Sequence, residues 1–276
     1  METEIGLSLN GRFEMNKKLK LSAVIITKNA EDKVRNCLES IKWADEIVVV
    51  DGFSTDSTIS ICQEYGAKII QRKFQGFDKE RNAGVDQSSG DWILQLDADD
   101  VVTGGMRQAI EKILADSENK YAAYKFRRQN FFLGKAMKYG GWYHYSAHFF
   151  RKGKAFYQGS IHETLMVKGE MGKMEEIIEH HPFYSISEFI DRQNRYTNLQ
   201  AQRMLDEFGA KNIAFVRKGL LKKTRKTFWK LYVKKKGFLE GMHGIVFAVL
   251  YAWVEFSKWA KYWELVKKRE KKEQPG

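Results

Sequence analysis

Through the first hundred or so residues, short apolar runs rich in β-branched side chains alternate with segments whose apolar positions recur every three or four residues. Leu21-Ser22-Ala23-Val24-Ile25-Ile26-Thr27 reads as a buried strand. Val34, Leu38 and Ile41 then fall at i, i+4 and i+7, with Glu31 and Asp32 at the head of the helix they define. Glu46-Ile47-Val48-Val49-Val50-Asp51 is the next strand, and Asp56 or Ser57 caps a helix that reaches about Tyr65. Ala67-Lys68-Ile69-Ile70 forms a third strand, residues 76–87 have helical spacing, and Trp92-Ile93-Leu94-Gln95-Leu96 forms a fourth strand. Strands alternating with helices of this length make βαβ units and a mostly parallel sheet buried on both faces. The fold class expected is therefore α/β, a single Rossmann-type domain.

Beyond residue 105 the pattern changes. Residues 106–114 are helical, whereas residues 121–165 alternate aromatic and basic positions among many glycines, which suits strands and loops around an open pocket. Residues 187–208 read as a helix with Ser187 as N-cap, and the segment from about residue 214 is helical and basic. The division expected is a lead-in over residues 1–19, a main domain over 20–185 with halves at 20–105 and 106–185, and a helical, basic region over 186–276.

The chemistry-bearing residues sit where strands end. In open α/β sheets, ligands collect beyond the carboxyl ends of the strands. Thr27, Lys28 and Asn29 follow the first strand, Asp51 closes the second, and Leu96-Asp97-Ala98-Asp99-Asp100 closes the fourth. Two carboxylates at i and i+2 can reach one ion once the chain turns out of the sheet, and Mg²⁺ or Mn²⁺ takes oxygen ligands shared with substrate phosphates. An isolated pair of this kind is more often a solvated acidic turn; its place in a βαβ series reverses that reading. Asp51 can accept hydrogen bonds from a ring N–H or a sugar hydroxyl, while Ser54, Thr55 and Asp56 suit helix capping better than ligand contact. Lys79 and Arg81 can pair with a diphosphate, or form an exposed salt-linked helix face.

Taken in order, Ala23-Val24-Ile25-Ile26-Thr27-Lys28-Asn29, Val48-Val49-Val50-Asp51-Gly52-Phe53-Ser54-Thr55-Asp56-Ser57-Thr58, Arg81-Asn82 and Leu96-Asp97-Ala98-Asp99-Asp100 resemble the successive motifs of family-two glycosyltransferases. The likeness spans about residues 20–200 and is closest to the bacterial branch containing lipopolysaccharide core-type glucosyltransferases. It implies a GT-A fold, a nucleoside-diphosphate sugar donor (a UDP-sugar favoured), Mg²⁺ or Mn²⁺, and inverting transfer of a hexose, glucose being favoured, to a lipid-linked glycan. Residues 20–105 would then be the donor half and 106–185 the acceptor half. By the same resemblance Thr27, Asn29, Glu31, Asp51, Lys79, Arg81, Asp97 and Ala98 would bind the donor, and Asp99, Asp97 and His181 would hold the metal. Gly159-Ser160-Ile161-His162-Glu163-Thr164-Leu165 resembles the segment in which a carboxylate serves as general base. Glu163 is the choice; His162 stands where many relatives carry an acidic residue, and it orients Glu163 or takes the proton itself. A protein or peptide acceptor is the alternative.

Composition adjusts this picture in two places. Apolar residues make up 43% of the 276, enough for a sizeable core, and Cys37 and Cys62 lack partners at metal-ligand spacing, so they read as buried reduced thiols of a cytoplasmic chain. The first 19 residues contain no apolar core of the kind an export signal needs. The net charge of +12 belongs to the end of the chain: residues 211–276 carry 18 Lys and Arg against 5 Asp and Glu, the rest 29 against 30. Between residues 211 and 236 there are 11 basic residues and no acidic one, and the apolar run over residues 245–254 is only 10 long. A bilayer-spanning helix needs about 20. A basic, Trp-rich helical pair suits an anionic membrane surface, on the inner face of the plasma membrane; packing on the main domain is the other reading. No nucleic-acid-binding motif accompanies the basic run, and the Thr27-Lys28-Asn29-Ala30-Glu31 turn lacks the glycine-rich phosphate loop that a nucleotidyltransferase would want.

Overall fold

The computed structural model describes residues 19–159 and 163–273. Four parallel strands form one half of the main sheet: β1 (Leu21–Thr27), β2 (Glu46–Asp51), β3 (Lys68–Gln71) and β4 (Trp92–Asp97), in the order β3-β2-β1-β4. They are linked by α1 (Val34–Ile41), α2 (Thr58–Glu64) and α3 (Phe77–Gln87). The chain winds outward from β1 to β3 and then returns to the other side of β1, so the switch point lies at β1, where such sheets form a ligand crevice. Register makes the strand ends flush there: Thr27 lies opposite Asp51, and Ile26 opposite Asp97.

The sheet continues as a mixed half. After a tight turn, β5 (Asp100–Val102) leads into α4 (Gly104–Ala115), whose N-cap Thr103 accepts a hydrogen bond from the Met106 amide. Then come β6 (Ala123–Phe132), β7 (Lys135–Ala136), β8 (Tyr143–Arg151), β9 (Ala155–Gln158), β10 (Thr164–Val167) and the long β11 (Met171–Phe183). Beyond β4 the order is β8-β6-β11-β5, with β8 and β5 antiparallel to their neighbours and β7 folded back on β6. β9 and β10 form a separate antiparallel pair. The expected α/β class, with a mostly parallel sheet and a helical C-terminal extension, is what the chain adopts. Residues 180–181, which alone suggest a turn before Pro182, lie instead within β11.

One face of the sheet buries Leu21, Ala23, Ile25 and Val49 against α1 and α4, with Trp92, Tyr124 and Phe149 stacked at its centre. The other face packs Val24 and Val48 under α3, around Val85, and continues into Phe150 and Tyr157. Both cysteines are buried and free; burial pushes the Cys62 thiol up to about 11, in keeping with inert thiols.

Three helices close the chain: α5 (Ile186–Phe208), α6 (Ile213–Trp229) and α7 (Met242–Glu273). The cap of α5 is Ser185 and not Ser187, because Ser185 accepts from the Glu188 amide, while the Glu188 carboxylate reaches back past the cap to the Tyr184 amide. α7 is fastened to the main domain at two places. Phe247 and Val254 join Phe132, Met137, Phe183 and Phe189 in one buried cluster. Glu240, in the turn before α7, accepts from the Lys138 and Tyr139 amides at 2.6 and 2.7 Å and pairs with Lys135. Further along, Trp259, Tyr262 and Val266 of α7 pack with Met204 of α5 and Val216 of α6. Among the described residues no helix is long and apolar enough to cross a membrane.

Gly84 sets how closely α3 approaches the switch point. A Cβ there would lie 2.3 Å from Val24 Cγ1 and 3.1 Å from Val50 Cγ2, both on buried β-branched side chains with little room to move. Gly84→Leu is expected to cost about 1–3 kcal/mol, measured as a lower urea midpoint; an unchanged midpoint would mean that α3 does not pack on β1 as described.

Candidate active site

Four consecutive residues, three of them acidic, leave β4 in a turn that must be neutralised. Asp97 is about a quarter exposed, while Asp99 and Asp100 are 12% and 7% exposed. Three arginines and a histidine from four other elements converge on them. Arg81 of α3 donates from Nη2 to Asp97 Oδ1 at 2.7 Å. Arg128 of β6 donates from Nη2 to Asp97 Oδ2 at 2.7 Å and from Nε to Asp100 Oδ1 at 2.8 Å, and stands 4.0 Å from Asp99. Arg192 of α5 lies 3.5 Å from Asp99, and His180 Nε2 lies 3.4 Å from it. Asp100 Oδ2 closes the turn by accepting from the Asp97 amide.

The neighbouring charges sort the three carboxylates. Burial by itself raises each pKa. For Asp97 the guanidinium groups of Arg81 and Arg128 outweigh burial and hold the carboxyl well below the ordinary range. For Asp99 the balance against burial is tipped by His180, and its pKa is also lowered. For Asp100 burial wins over Arg128 and the pKa is raised.

His180 is oriented by its strand position. It pairs with Asp100 of β5 on one side and with Asn130 of β6 on the other. Its Nδ1 contacts Asn130 Oδ1, and the Asn130 amide nitrogen donates to the Trp142 carbonyl, so Oδ1 is the acceptor and Nδ1 carries the proton. Nε2 is thereby turned towards Asp99. Single atoms from Asp99, Asp100 and His180 all lie within 4.8 Å of one another. Two carboxylates and an imidazole whose far nitrogen is already hydrogen-bonded fit a divalent cation.

His181, the histidine selected by motif spacing, is placed otherwise. Alternation along β11 turns it to the opposite face, where Nε2 pairs with Glu179 at 3.0 Å and the ring stacks on Phe131; only its backbone amide reaches the acidic turn, donating to the Asp99 carbonyl.

The remaining expected residues take several different places. Asp51 is fully buried and occupied: it accepts from the Ser54 amide and hydroxyl and from the Gln71 amide group, and so shapes the turn after β2. Asn29, at φ 48°, accepts from the Thr55 amide through Oδ1, and Glu31 accepts from the Ser57 amide, so that both stitch the β1 and β2 loops together. Asp56, one residue before the Ser57 cap of α2, accepts from the Thr58 amide. Thr27 Oγ1, at the flush end of β1, is buried and has no hydrogen-bond partner among the described residues. Ala98 is nearly buried in the turn between Asp97 and Asp99, and Lys79 is exposed on α3, with no ion pair to the acidic turn among the described residues. Glu163, just before β10, meets Arg81: its Oε1 lies 3.2 Å from Arg81 Nε. One guanidinium thus joins Asp97 to Glu163. His162 lies outside the described residues.

Arg128, His180 and Arg192 are the site residues that sequence reasoning missed. Arg128 and Asn130 share one face of β6, and a period-two reading of residues 123–132 would have put them together. Arg192 carried no local signal, since its role depends on how α5 docks. That docking is set by buried Lys33 at the head of α1, which pairs with Glu188 and donates to the Pro182 carbonyl at 2.8 Å.

The chain has relatives among known proteins. Residues 22–164 match the family described as glycosyl transferase family 2. An uncharacterised glycosyltransferase of Rickettsia conorii is 26% identical over 262 residues, covering 90% of this chain and 92% of its own. The lipopolysaccharide core biosynthesis glycosyltransferase LpsC of Rhizobium meliloti is 27% identical over 260 residues, covering 85% and 91%. Among solved structures, S. aureus TarS 1-349 in complex with UDP-GlcNAc is similar at a TM-score of 0.48 and 14% identity, with 93% of each chain covered.

The ion-pair cluster makes a signed prediction. Arg128→Met leaves buried carboxylates with one cation fewer, which should cost about 3–5 kcal/mol at pH 7. In the native chain Asp97 and Asp99 have lowered pKa values, so their contribution persists down to acid pH and fades only as the pH falls through those values. In the variant, pKa values raised by unshielded burial let protons bind sooner, and the deficit should shrink between pH 7 and pH 5. Urea unfolding at the two pH values checks this; a deficit that grows on acidification would contradict the network.

Proposed function

The chain belongs to glycosyl transferase family 2, and on that premise we propose that it is an inverting, divalent-metal-dependent hexosyltransferase. In this reading the donor is a UDP-sugar, with glucose the favoured hexose. The acceptor is a lipid-linked glycan such as a lipopolysaccharide core, met at the inner face of the plasma membrane. The observation that carries the proposal is the convergence at the switch point: Thr27, Asp51 and Asp97 at flush strand ends, with Asp99, Asp100 and His180 grouped beside them. The relation to a lipopolysaccharide core enzyme over most of both chains supports the acceptor class.

The donor base would lie against the loops tied by Asn29, Glu31 and Asp51, with the Thr27 hydroxyl available to it. Asp97 would face the ribose, with Ala98 against the nucleotide, and Arg81, Arg128 and Arg192 would surround the diphosphate; exposed Lys79 is a further cation on the same helix as Arg81. Asp99 would be the main protein ligand of Mn²⁺ or Mg²⁺, with His180 beside it and Asp97 or Asp100 completing the set; the turned-away ring of His181 makes it a less suitable ligand. A bound ion would supply neutralisation of charge on the leaving diphosphate. In the transfer itself, an acceptor hydroxyl oxygen bonds to the anomeric carbon as the bond to the diphosphate oxygen breaks. That oxygen leaves with the electron pair, and the hydroxyl proton passes to a Glu163 carboxylate oxygen. The Arg81 contact holds Glu163 within the same ion-pair chain as Asp97.

Two variants divide these roles. Glu163→Gln should lower kcat about 10²–10⁴-fold while leaving donor affinity near the native value, because a base acts in the transition state. Unchanged turnover would move the role to His162. Asp99→Ala should abolish transfer and metal-dependent UDP binding by calorimetry with a cooperative melting transition retained; native-like turnover in this variant, or full native activity after chelation of divalent ions, would sink the metal mechanism.

A further inference from the structure

One close contact of α6 with α7 is at Gly219, where a Cβ would lie 2.3 Å from the Trp259 ring, and the turn leading into α7 packs on it at Gly244, where a Cβ would lie 1.8 Å from the Gly237 carbonyl oxygen. Along the hairpin the helices leave a groove of about 940 Å³. Its apolar lining includes Leu221 and Phe228 of α6 and Val249, Trp253 and Phe256 of α7. Leu221, Val249 and Phe256 are 60%, 50% and 44% exposed, unusual for large apolar side chains in one groove. The apolar run over residues 245–254 is thus divided: Phe247 and Val254 face the main domain, and Val249 faces outward.

The rim has one sign of charge. Lys218, Lys222 and Arg225 line the groove. A neighbouring cavity of about 320 Å³ is walled by Lys226, Lys230, Lys234 and Lys235 around Trp229. An apolar floor under a purely cationic rim matches an anionic amphiphile. A polyanion without apolar surface would leave the floor unused, and a second copy of the chain would set cation against cation.

We infer that this groove is the docking surface for an anionic lipid bilayer, with acyl chain on Leu221, Val249 and Phe256 and lipid phosphates on Lys218, Lys222 and Arg225. The inference deepens the membrane part of the function proposed above and gives it a location. It does not depend on the donor chemistry, because lipid binding is measured without donor, metal or acceptor.

The test is flotation of the full chain with phosphatidylcholine vesicles, with and without phosphatidylglycerol. The native chain should float only with the anionic vesicles. Replacing Lys218, Lys222 and Arg225 together by Gln should weaken binding roughly a hundredfold, from about fivefold per cation. Leu221→Asn with Phe256→Asn should weaken it at least tenfold, with an unchanged melting temperature and unchanged donor hydrolysis. Should that pair fail to fold, phosphatidylglycerol brominated on its acyl chains should quench the native chain's fluorescence more than that of Trp253→Phe. Three results would overturn the inference: no flotation of the native chain, equal flotation of the apolar double variant, or equal quenching of native and Trp253→Phe. Equal flotation of the apolar variant alongside loss in the Gln triple would leave only a charged patch. Tight capture of nucleic acid in place of vesicles would assign the cations elsewhere. Loss of transfer with flotation intact would count against the enzyme reading alone.

Discussion

Three carboxylates within four residues at the end of a buried strand are an electrostatic liability, and much of the arrangement around β4 answers it. Like charges at this spacing are tolerable inside a protein only when cations share the space. Here the cations arrive from α3, β6 and α5, and a histidine joins them from β11, elements spread over more than a hundred residues of sequence. The acidic turn therefore organises the fold as well as the site. It fixes how β6 and β11 sit against the parallel half, and it gives α5 a charged reason to lie across the opening.

That dependence explains what could be read from sequence and what could not. The parallel half was legible because its strands are unbroken β-branched runs and its helices carry Val34, Leu38 and Ile41 at helical spacing. Each signal is local, and the strand-end rule then placed Thr27, Asp51 and Asp97 without further information. The mixed half was only partly legible. Its strands carry Arg128 and His180 at inward positions, so apolar alternation fails where the site needs charge. β11 illustrates the problem, since His180-His181-Pro182 looks like a turn locally and is held extended by its two neighbours, β6 and β5. Motif spacing favoured His181 over His180, whereas the choice rests on strand parity and on an amide oriented by the Trp142 carbonyl. Asp51 and Asn29 were rightly picked out as polar residues at strand ends, yet their side chains are engaged in shaping loops.

The helical extension shows two loyalties. One side of α7 completes the core through Phe247 and Val254, and the buried Glu240 turn locks its start to the β6–β7 hairpin. The other side, with α6, presents apolar surface and cations. Packing on the domain and facing a partner had stood as competing readings of the tail. The structure assigns the first to one face of α7 and leaves the second to the opposite face.

Arg81 has a consequence of another kind. A single buried guanidinium grips Asp97 in one half of the main domain and Glu163 in the other. In a mutational cycle, residues with a common partner do not behave as independent sites, and their joint effect departs from the sum of the separate ones. Asp97 and Glu163 are energetically coupled through one side chain. Whatever displaces Arg81 at one carboxylate retunes the other, so selection on this chain acts on the pair and not on either residue alone.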